Sequence, residues 1–513
     1  MLTAEWKKDY EEFEKVTRQF YAGEVSVKDY KGFSGGFGSY GQRGGKKSML
    51  RLRFPGGRVN REKLDFVAES IKKYQIDKVH FTTCQTIQLH NLGENEVCEL
   101  AYAALEHGIL TRGGGGDFPR NVMVSPLSGV EKGEYFDVFP YAKKASDYLI
   151  GLIKKVKLPR KLKVGFSNSK ANETHATFRD LGFVAREDGT FDVYSAGGLG
   201  NNPKMGVRVA EGIEGTKVLY YIQAMVELFT TYGNYENRAK ARTRYMQDEL
   251  GEQYKEAFQK KLEQVMQSGN NLDITVTCEK PDKMPDGEKP DSDRVLLQKQ
   301  DELYTVLYHP AGGCPAPEKI VELNDAIKNM EQVELRLSPD EGAYIVNCTG
   351  KEALRILEIT KDSACSLFET SVACIGASIC QIGLRDSQKL LSDLLSASKK
   401  WDFADGVLPQ IHISGCPSSC GTHQIGKLGF RGGTKKVDGK AESAFVLYVN
   451  GCDREGEEQF GTQMGTILER DIPVFLEELG KAVAESGEKF DSWYGTHTEQ
   501  FQKIAGKYTK ESL

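Results

Sequence analysis

Two stretches of this 513-residue chain read alike at a spacing of about 254–256 residues. The first begins Met49-Leu50-Arg51-Leu52-Arg53-Phe54-Pro55-Gly56-Gly57. Its periodicity predicts a helix over 61–74, strands over 79–83 and 86–90, and a second helix near 94–107. The second begins Leu303-Tyr304-Thr305-Val306-Leu307-Tyr308-His309-Pro310-Ala311-Gly312-Gly313. There the predicted elements are a helix over 317–330, strands over 333–337 and 343–347, and a helix over 351–360. Neither unit closes a core alone, so strand–helix–strand–strand–helix written twice points to a duplicated α+β half-module. Two ordinary αβ segments can coincide by chance; the Gly-Gly turn at the same place in both favours duplication.

Each half-module leads into a longer αβ region, which divides the chain into 1–48, 49–130, 131–278, 279–360 and 361–513. The first segment is a charged helix and then a glycine-rich loop over 32–45, where close backbone approach is expected. It lacks the Lys-Ser or Lys-Thr that ends a P-loop. Residues 131–278 contain Ala196-Gly197-Gly198-Leu199-Gly200 and a predicted long polar helix with a basic face over 217–266. The proline-bearing stretch 279–292 reads as a surface linker.

The net charge of −5 argues against a nucleic-acid binder, while leaving room for a local basic pocket. No apolar run of about 18 residues predicts a membrane span. The N-terminus is charged and shows no secretory signal. Eleven cysteines, an odd number, indicate thiols in a reducing compartment, and the expected location is the cytoplasm.

Four of those cysteines form two short pairs, Cys374-x5-Cys380 and Cys416-x3-Cys420. Thiolates are the preferred protein ligands of iron in iron–sulfur clusters, and loops supply N–H groups to the sulfurs. Zinc is the competing reading, although its pairs are usually C-x2-4-C, and inert buried thiols are a third. The setting Gly415-Cys416-Pro417-Ser418-Ser419-Cys420-Gly421 is a turn rather than an apolar stripe, which favours the cluster. Cysteines 84, 98, 278, 314, 348, 365 and 452 are scattered and read as core or incidental.

Basic residues form the second signal. Arg51 and Arg53 alternate on one face of a predicted strand, and Lys161 and Lys163 on another. Arg120 follows Gly113-Gly114-Gly115-Gly116 closely. Singly, each reads as a surface charge. Together they would make a pocket for a polyanionic cofactor or a small oxyanion.

From about Gly38 onward the chain resembles the assimilatory sirohaem- and [4Fe-4S]-containing nitrite and sulfite reductases. The cysteine pairs carry this resemblance, with Gly38-Ser39-Tyr40-Gly41-Gln42-Arg43, Met49–Gly57, Arg120-Asn121-Val122, Pro159-Arg160-Lys161-Leu162-Lys163 and Ala196–Gly200. The resemblance implies a pseudo-two-fold fold, with duplicated ferredoxin-like half-modules and two αβ cofactor-binding regions. It implies Cys374, Cys380, Cys416 and Cys420 as cluster ligands, with Cys420 also bridging to the sirohaem iron. It makes Arg53, Arg120, Lys161 and Lys163 the basic residues around the anion, and it places Thr82, Gln88 and Arg51 at the sirohaem. Where many relatives carry two arginines for the sirohaem carboxylates, this chain has His80 and Cys84. Arg43, Arg51 or the basic stretch Arg238, Lys240, Arg242, Arg244 are the candidate substitutes. Ser418 stands where relatives often have Asn.

The implied reaction is six-electron reduction of sulfite to sulfide, because Lys163 stands where plant-type nitrite reductases often have Asn. Nitrite reduction to ammonia is the alternative, alone or alongside sulfite. No flavin, NADPH or additional ferredoxin motif is recognisable. The electron donor is therefore expected to be ferredoxin or a separate reductase subunit. A non-catalytic iron–sulfur carrier and a zinc-stabilised structural protein are the readings from other classes.

Overall fold

The computed structural model describes residues 2–510. Four β-sheets arise from two repeated patterns. In the first half-module β1 (Ser39–Gly41), β2 (Ser48–Arg53), β3 (Arg58–Val59), β4 (Val79–Phe81) and β5 (Thr86–Leu92) follow in sequence. β5 lies between β2 and β4, antiparallel to both. The first αβ region holds β6 (Met123–Val124), β7 (Val164–Ser167), β8 (Leu181–Ala185), β9 (Phe191–Ser195) and β10 (Val207–Ile213). They lie in the order β10-β9-β8-β7-β6.

The second half repeats both sheets. β11 (Val295–Leu297), β12 (Tyr304–Tyr308), β13 (Glu334–Leu337) and β14 (Ala343–Cys348) place β14 between β12 and β13. β15 (Val372–Ala373), β16 (Ile411–Ser414), β17 (Leu428–Val437), β18 (Lys440–Val449) and β19 (Thr462–Leu468) form the last sheet. Its pairings run parallel, parallel, antiparallel, antiparallel, as they do from β6 to β10. The architecture is α+β and internally duplicated.

The glycine turns explain why the repeat shows in the sequence. Gly56 and Gly57 have φ of 62° and 71°, and Gly312 and Gly313 have 56° and 68°. A side chain at Gly57 would press on Leu337 O and Gln85, and one at Gly313 on Phe81 O and Glu341. Each turn thus fits against a strand end of the opposite half and the β-turn of its own. The halves are also joined by backbone, since β3 pairs with β13 through Val59↔Leu335 and Arg58↔Arg336. One core serves both half-modules: Leu64, Val67 and Ile71 of helix Arg61–Tyr74 share it with Ile320, Leu323 and Ile327 of helix Pro317–Ile327. The two αβ regions have cores of their own. No helix among the described residues is long and apolar enough to cross a membrane.

Two predicted elements are corrected. The long helix over 217–266 is instead Val218–Tyr232, short turns, Met246–Leu250 and Tyr254–Gln267. Asn234 Oδ1 accepts from the N–H groups of Glu236 and Asn237, and Asn237 then caps a short turn, so side chains take the backbone out of the helix. Arg238, Lys240, Arg242 and Arg244 lie in that break, not on a helix face. Lys161 and Lys163 precede β7 rather than lying in it. The Lys163 N–H donates to Asp180 Oδ2 at 2.8 Å instead of to a neighbouring strand.

Candidate active site

A cavity of about 1220 Å³ opens between the four sheets. Arg51, Arg53, Thr82, Gln88, Arg120, Lys161, Lys163, Cys374, Cys380, Cys416 and Cys420 all line it, although they are spread over 370 positions of sequence.

Glycine packing fixes the arginines. The 35–38 turn lies directly on the 113–116 loop, with Gly113 N donating to Gly36 O at 2.7 Å. Carbonyls of the 112–120 loop then hold the arginine heads. Arg51 Nη1 donates to Gly114 O at 2.6 Å, and Arg120 Nη2 donates to the same oxygen. Arg53 donates to Arg112 O at 2.7 Å and Arg120 O at 3.0 Å. Burial, with Arg120 alongside, lowers the Arg53 guanidinium to about 9. Burial and Arg51 lower Arg120 to about 10.

The lysines face the same space because Leu162, between them, is fully buried. Burial, then the charges of Arg242, Lys163 and Arg120, push Lys161 well below the usual lysine value. The Lys163 Nζ lies 3.2 Å from Cys84 Sγ. Burial would raise the Cys84 thiol, but Lys163 and Arg179 more than offset it, and the thiol falls to about 6. Asp180 organises this wall. It accepts from Arg242 at 3.0 Å, from the Lys163 N–H and from the Thr243 hydroxyl.

The four cysteines lie on two loops at the ends of β15 and β16. Cys374 N donates to Ile413 O at 3.1 Å, and Gly415 N donates to Cys374 Sγ at 3.2 Å. Cys380 N closes its own loop on Gly376 O at 2.8 Å. Ser419 takes a left-handed φ of 53°, which turns the chain between Cys416 and Cys420. The first half grips this loop from outside. The Thr83 hydroxyl donates to Cys420 O at 2.9 Å, and Gly200 exchanges two hydrogen bonds with the Gln424 amide. All eleven cysteines are free. Among the described residues no three His, Cys, Asp or Glu side chains are placed to hold a single metal ion. Zinc would need such convergence, whereas a four-iron cluster takes its thiolates at separate corners.

Thr82 Oγ1 contacts Thr86 Oγ1 at 2.7 Å and accepts from Cys84 N, so it shapes the turn that presents Cys84. Gln88, with its amide oxygen toward Arg51 Nε at 3.1 Å, donates to His90 Nε2 at 3.1 Å. His80 Nε2 stands 3.5 Å from Glu341 Oε1, across the seam between the halves. Of the candidate substitutes for the missing arginines, Arg51, Arg238 and Arg242 line the cavity. Arg43 donates instead to Cys380 O and Gly383 O, and Arg244 to Asn201 O.

The sequence reading missed Arg179, Asp180 and the place of Cys84. Cys84, taken as core or incidental, is a cavity residue. The motif Leu181-Gly182-Phe183, repeated as Leu428-Gly429-Phe430, marks the first two: it aligns the loop before β8 with the cysteine loop before β17.

Residues 40–107 match the nitrite/sulfite reductase ferredoxin-like half domain, and residues 115–268 match the nitrite and sulphite reductase 4Fe-4S domain. Both segments thus match models of the nitrite and sulfite reductase family. A ferredoxin–nitrite reductase of Synechococcus elongatus is 27% identical over 424 residues, 79% of this chain and 80% of that protein. A ferredoxin-dependent sulfite reductase of Mycolicibacterium paratuberculosis is 24% identical over 479 residues, 87% and 82% of the two chains. The fold is similar to that of the Mycobacterium tuberculosis NirA protein, with a TM-score of 0.78 and 20% identity over 98% of this chain and 95% of that one. The matched 4Fe-4S segment is the first αβ region. It carries Arg120, Lys161 and Lys163, while the cysteines lie in the second.

Sirohaem and a [4Fe-4S] cluster are the cofactors of this reductase family. The residues present fit both. Four free thiols on glycine-bearing loops suit the cluster, and a large cavity rich in arginine and lysine suits a polycarboxylate macrocycle.

Proposed function

We propose that the chain reduces sulfite to sulfide in a six-electron reaction, with ferredoxin as electron donor. The convergence of Arg120, Lys161 and Lys163 with four free thiols on one cavity carries this reading. The cofactors, when bound, would relay the donor's electrons and supply the iron that holds the anion. The chain supplies charge, orientation and protons.

In this reading Cys374, Cys380, Cys416 and Cys420 hold the cluster. Cys420 would also help hold the sirohaem, so that the cluster could pass electrons to it. Thr82, Gln88 and Arg51 belong to the sirohaem wall, and Arg51 with Arg242 would face its carboxylates. Arg53 acts at one remove, since both its Nη groups are taken by carbonyls and it fixes the backbone of Arg120. Arg120 and Lys163 hold the oxyanion by charge. Lys161 makes no hydrogen bond to a described residue, and its lowered basicity suits a proton donor to departing oxygen. Arginine holds its protons too tightly for that role.

Nitrite reduction is the second reading. The contact between Lys163 and Cys84 favours it, because a thiolate there offsets the lysine charge that a dianion would use. The purified protein should show chlorin-type and cluster absorption, with iron and acid-labile sulfide. A colourless protein would overturn the reading. With reduced ferredoxin as donor, Lys163→Asn should lower kcat/KM for sulfite by about tenfold more than for nitrite, the effect of losing one cation close to a dianion. Equal losses on both anions would remove the case for sulfite.

A further inference from the structure

Cys84 sits where the anion pocket meets the turn after β4. Its position is set by backbone and not by its own sulfur. Gln85 N closes the turn on Thr82 O at 2.8 Å, with Gln85 at a φ of 54°. The Gln85 side chain donates to Val124 O and Leu337 O, both at 2.8 Å, and accepts from Val124 N. Asn121 Nδ2 donates to the carbonyls of both Cys84 and Gln85. The sulfur is therefore delivered by a turn locked between three sheets, and it contacts the Lys163 ammonium at 3.2 Å. Asn121, only 4% exposed, lines the same cavity, and its Oδ1 has no hydrogen-bond partner among the described residues.

We propose that Cys84 is a specificity-determining residue: its sulfur pairs with Lys163 and reduces the positive charge offered to the bound anion, so that a sulfite site also admits nitrite. The inference rests on the oxyanion-reductase reading above and adds to it a residue that sets the anion preference. The charge argument is direct. A dianion gains more than a monoanion from each neighbouring cation, so neutralising one cation favours the monoanion. The surroundings keep the sulfur ionised: Lys163, Arg179 and Arg120 face Cys84, and Arg242, paired with Asp180, lies behind Lys163. Burial raises the thiol on its own, yet these cations bring it to about 6, so it is a thiolate at neutral pH.

The test uses the holoenzyme with both anions, reading kcat and KM separately. Cys84→Ser and Cys84→Ala should raise the sulfite-to-nitrite ratio of kcat/KM by about fivefold or more, mainly through a lower KM for sulfite. Cys84→Asp, which restores an anion facing Lys163, should return the ratio toward that of the unaltered protein. In a Lys163→Gln background the Cys84 substitutions should have no effect on the ratio. An unchanged ratio in Cys84→Ser and Cys84→Ala, or the same shift with Lys163 absent, overturns the proposal. A reading independent of turnover covers variants that fail to fold. Alkylation of Cys84 by iodoacetamide, followed by peptide mass spectrometry, should have a midpoint near pH 6. It should move upward in Lys163→Gln. A midpoint in the ordinary thiol range, about 8.5, overturns the proposal as well. If the unaltered protein reduces neither anion, the reductase reading fails with it; if it reduces them and the ratio does not move, only the role of Cys84 fails.

Discussion

Arg53 shows how a single buried side chain can hold the backbone of a site in place. It is 4% exposed, and its two Nη groups satisfy Arg112 O and Arg120 O. Arg53→Ala would leave those carbonyls buried and unpaired and would free the 112–120 loop that also anchors Arg51. The expected cost is about 3 kcal/mol, the range for breaking a buried charged hydrogen-bond set. A lowered thermal midpoint checks it, and a midpoint within 1 °C of the unaltered protein would contradict it. Arg53 was recognisable in the sequence as one of two alternating arginines. Its actual partners were not, because backbone carbonyls leave no mark in a sequence. Cys84 was read as incidental for the same kind of reason: what gives its sulfur a role is a lysine 79 positions away.

At the scale of elements, the two αβ regions are the same device used twice. The loop before β8 turns at Asn172 and His175, with φ of 51° and 57°, and the loop before β17 turns at Ser419 and Thr422, with φ of 53° and 51°. In this register Cys416 and Cys420 correspond to Ser169 and Glu173. Gly182 and Gly429 occupy the matching strand positions, and a Cβ there would strike Ala176 O and His423 O respectively. Gly182→Ala and Gly429→Ala should each destabilise by about 2–3 kcal/mol through backbone overpacking. Their effects on cofactor content should differ. Gly429→Ala should lose acid-labile sulfide because it displaces the Cys416–Cys420 loop, whereas Gly182→Ala should retain it. Equal cluster content in both folded variants would contradict this. The half-module repeat was legible in the sequence because its Gly-Gly turns are irreplaceable. The αβ repeat was not, because its common part is a short Leu-Gly-Phe strand between unlike loops.

At the scale of the whole molecule, the interior between the sheets is electrostatically demanding. Glu173 lies where Glu131, Asp340 and Asp453 approach from three separate segments. Burial first, then these carboxylates, raises its carboxyl from 4.5 to about 8. The folded protein thus keeps this proton up to about pH 8, while the unfolded chain releases it near 4.5. Its stabilising contribution is full below about 4.5 and is lost as pH rises through about 8. Glu173→Gln should flatten the decline of the thermal midpoint between pH 5 and 8.5, a window chosen to bracket the two protonation limits. An undiminished slope in the variant would contradict the assignment. The same closeness of segments makes the halves interdependent, since β3 of one pairs with β13 of the other and one core serves both half-modules.

Local patterns in the chain were enough to establish the duplicated half-modules and the two cysteine loops, and to single out basic residues that line one cavity in the fold. These follow from periodicity, from glycine turns that tolerate no side chain, and from cysteine spacing, all of which act over a few residues. Folding alone settled which groups meet: Arg51 and Arg120 on one glycine carbonyl, Thr83 on the Cys420 backbone, Cys84 against Lys163, and Glu173 among distant carboxylates. Burial and charge at those meetings depend on which segments the sheets bring together, and that information is spread across the entire chain. It also breaks the equality of the repeated loops, since one holds two of the four free thiols, Cys416 and Cys420, beside the cavity and the other closes on Asn172, Thr177 and Asp453.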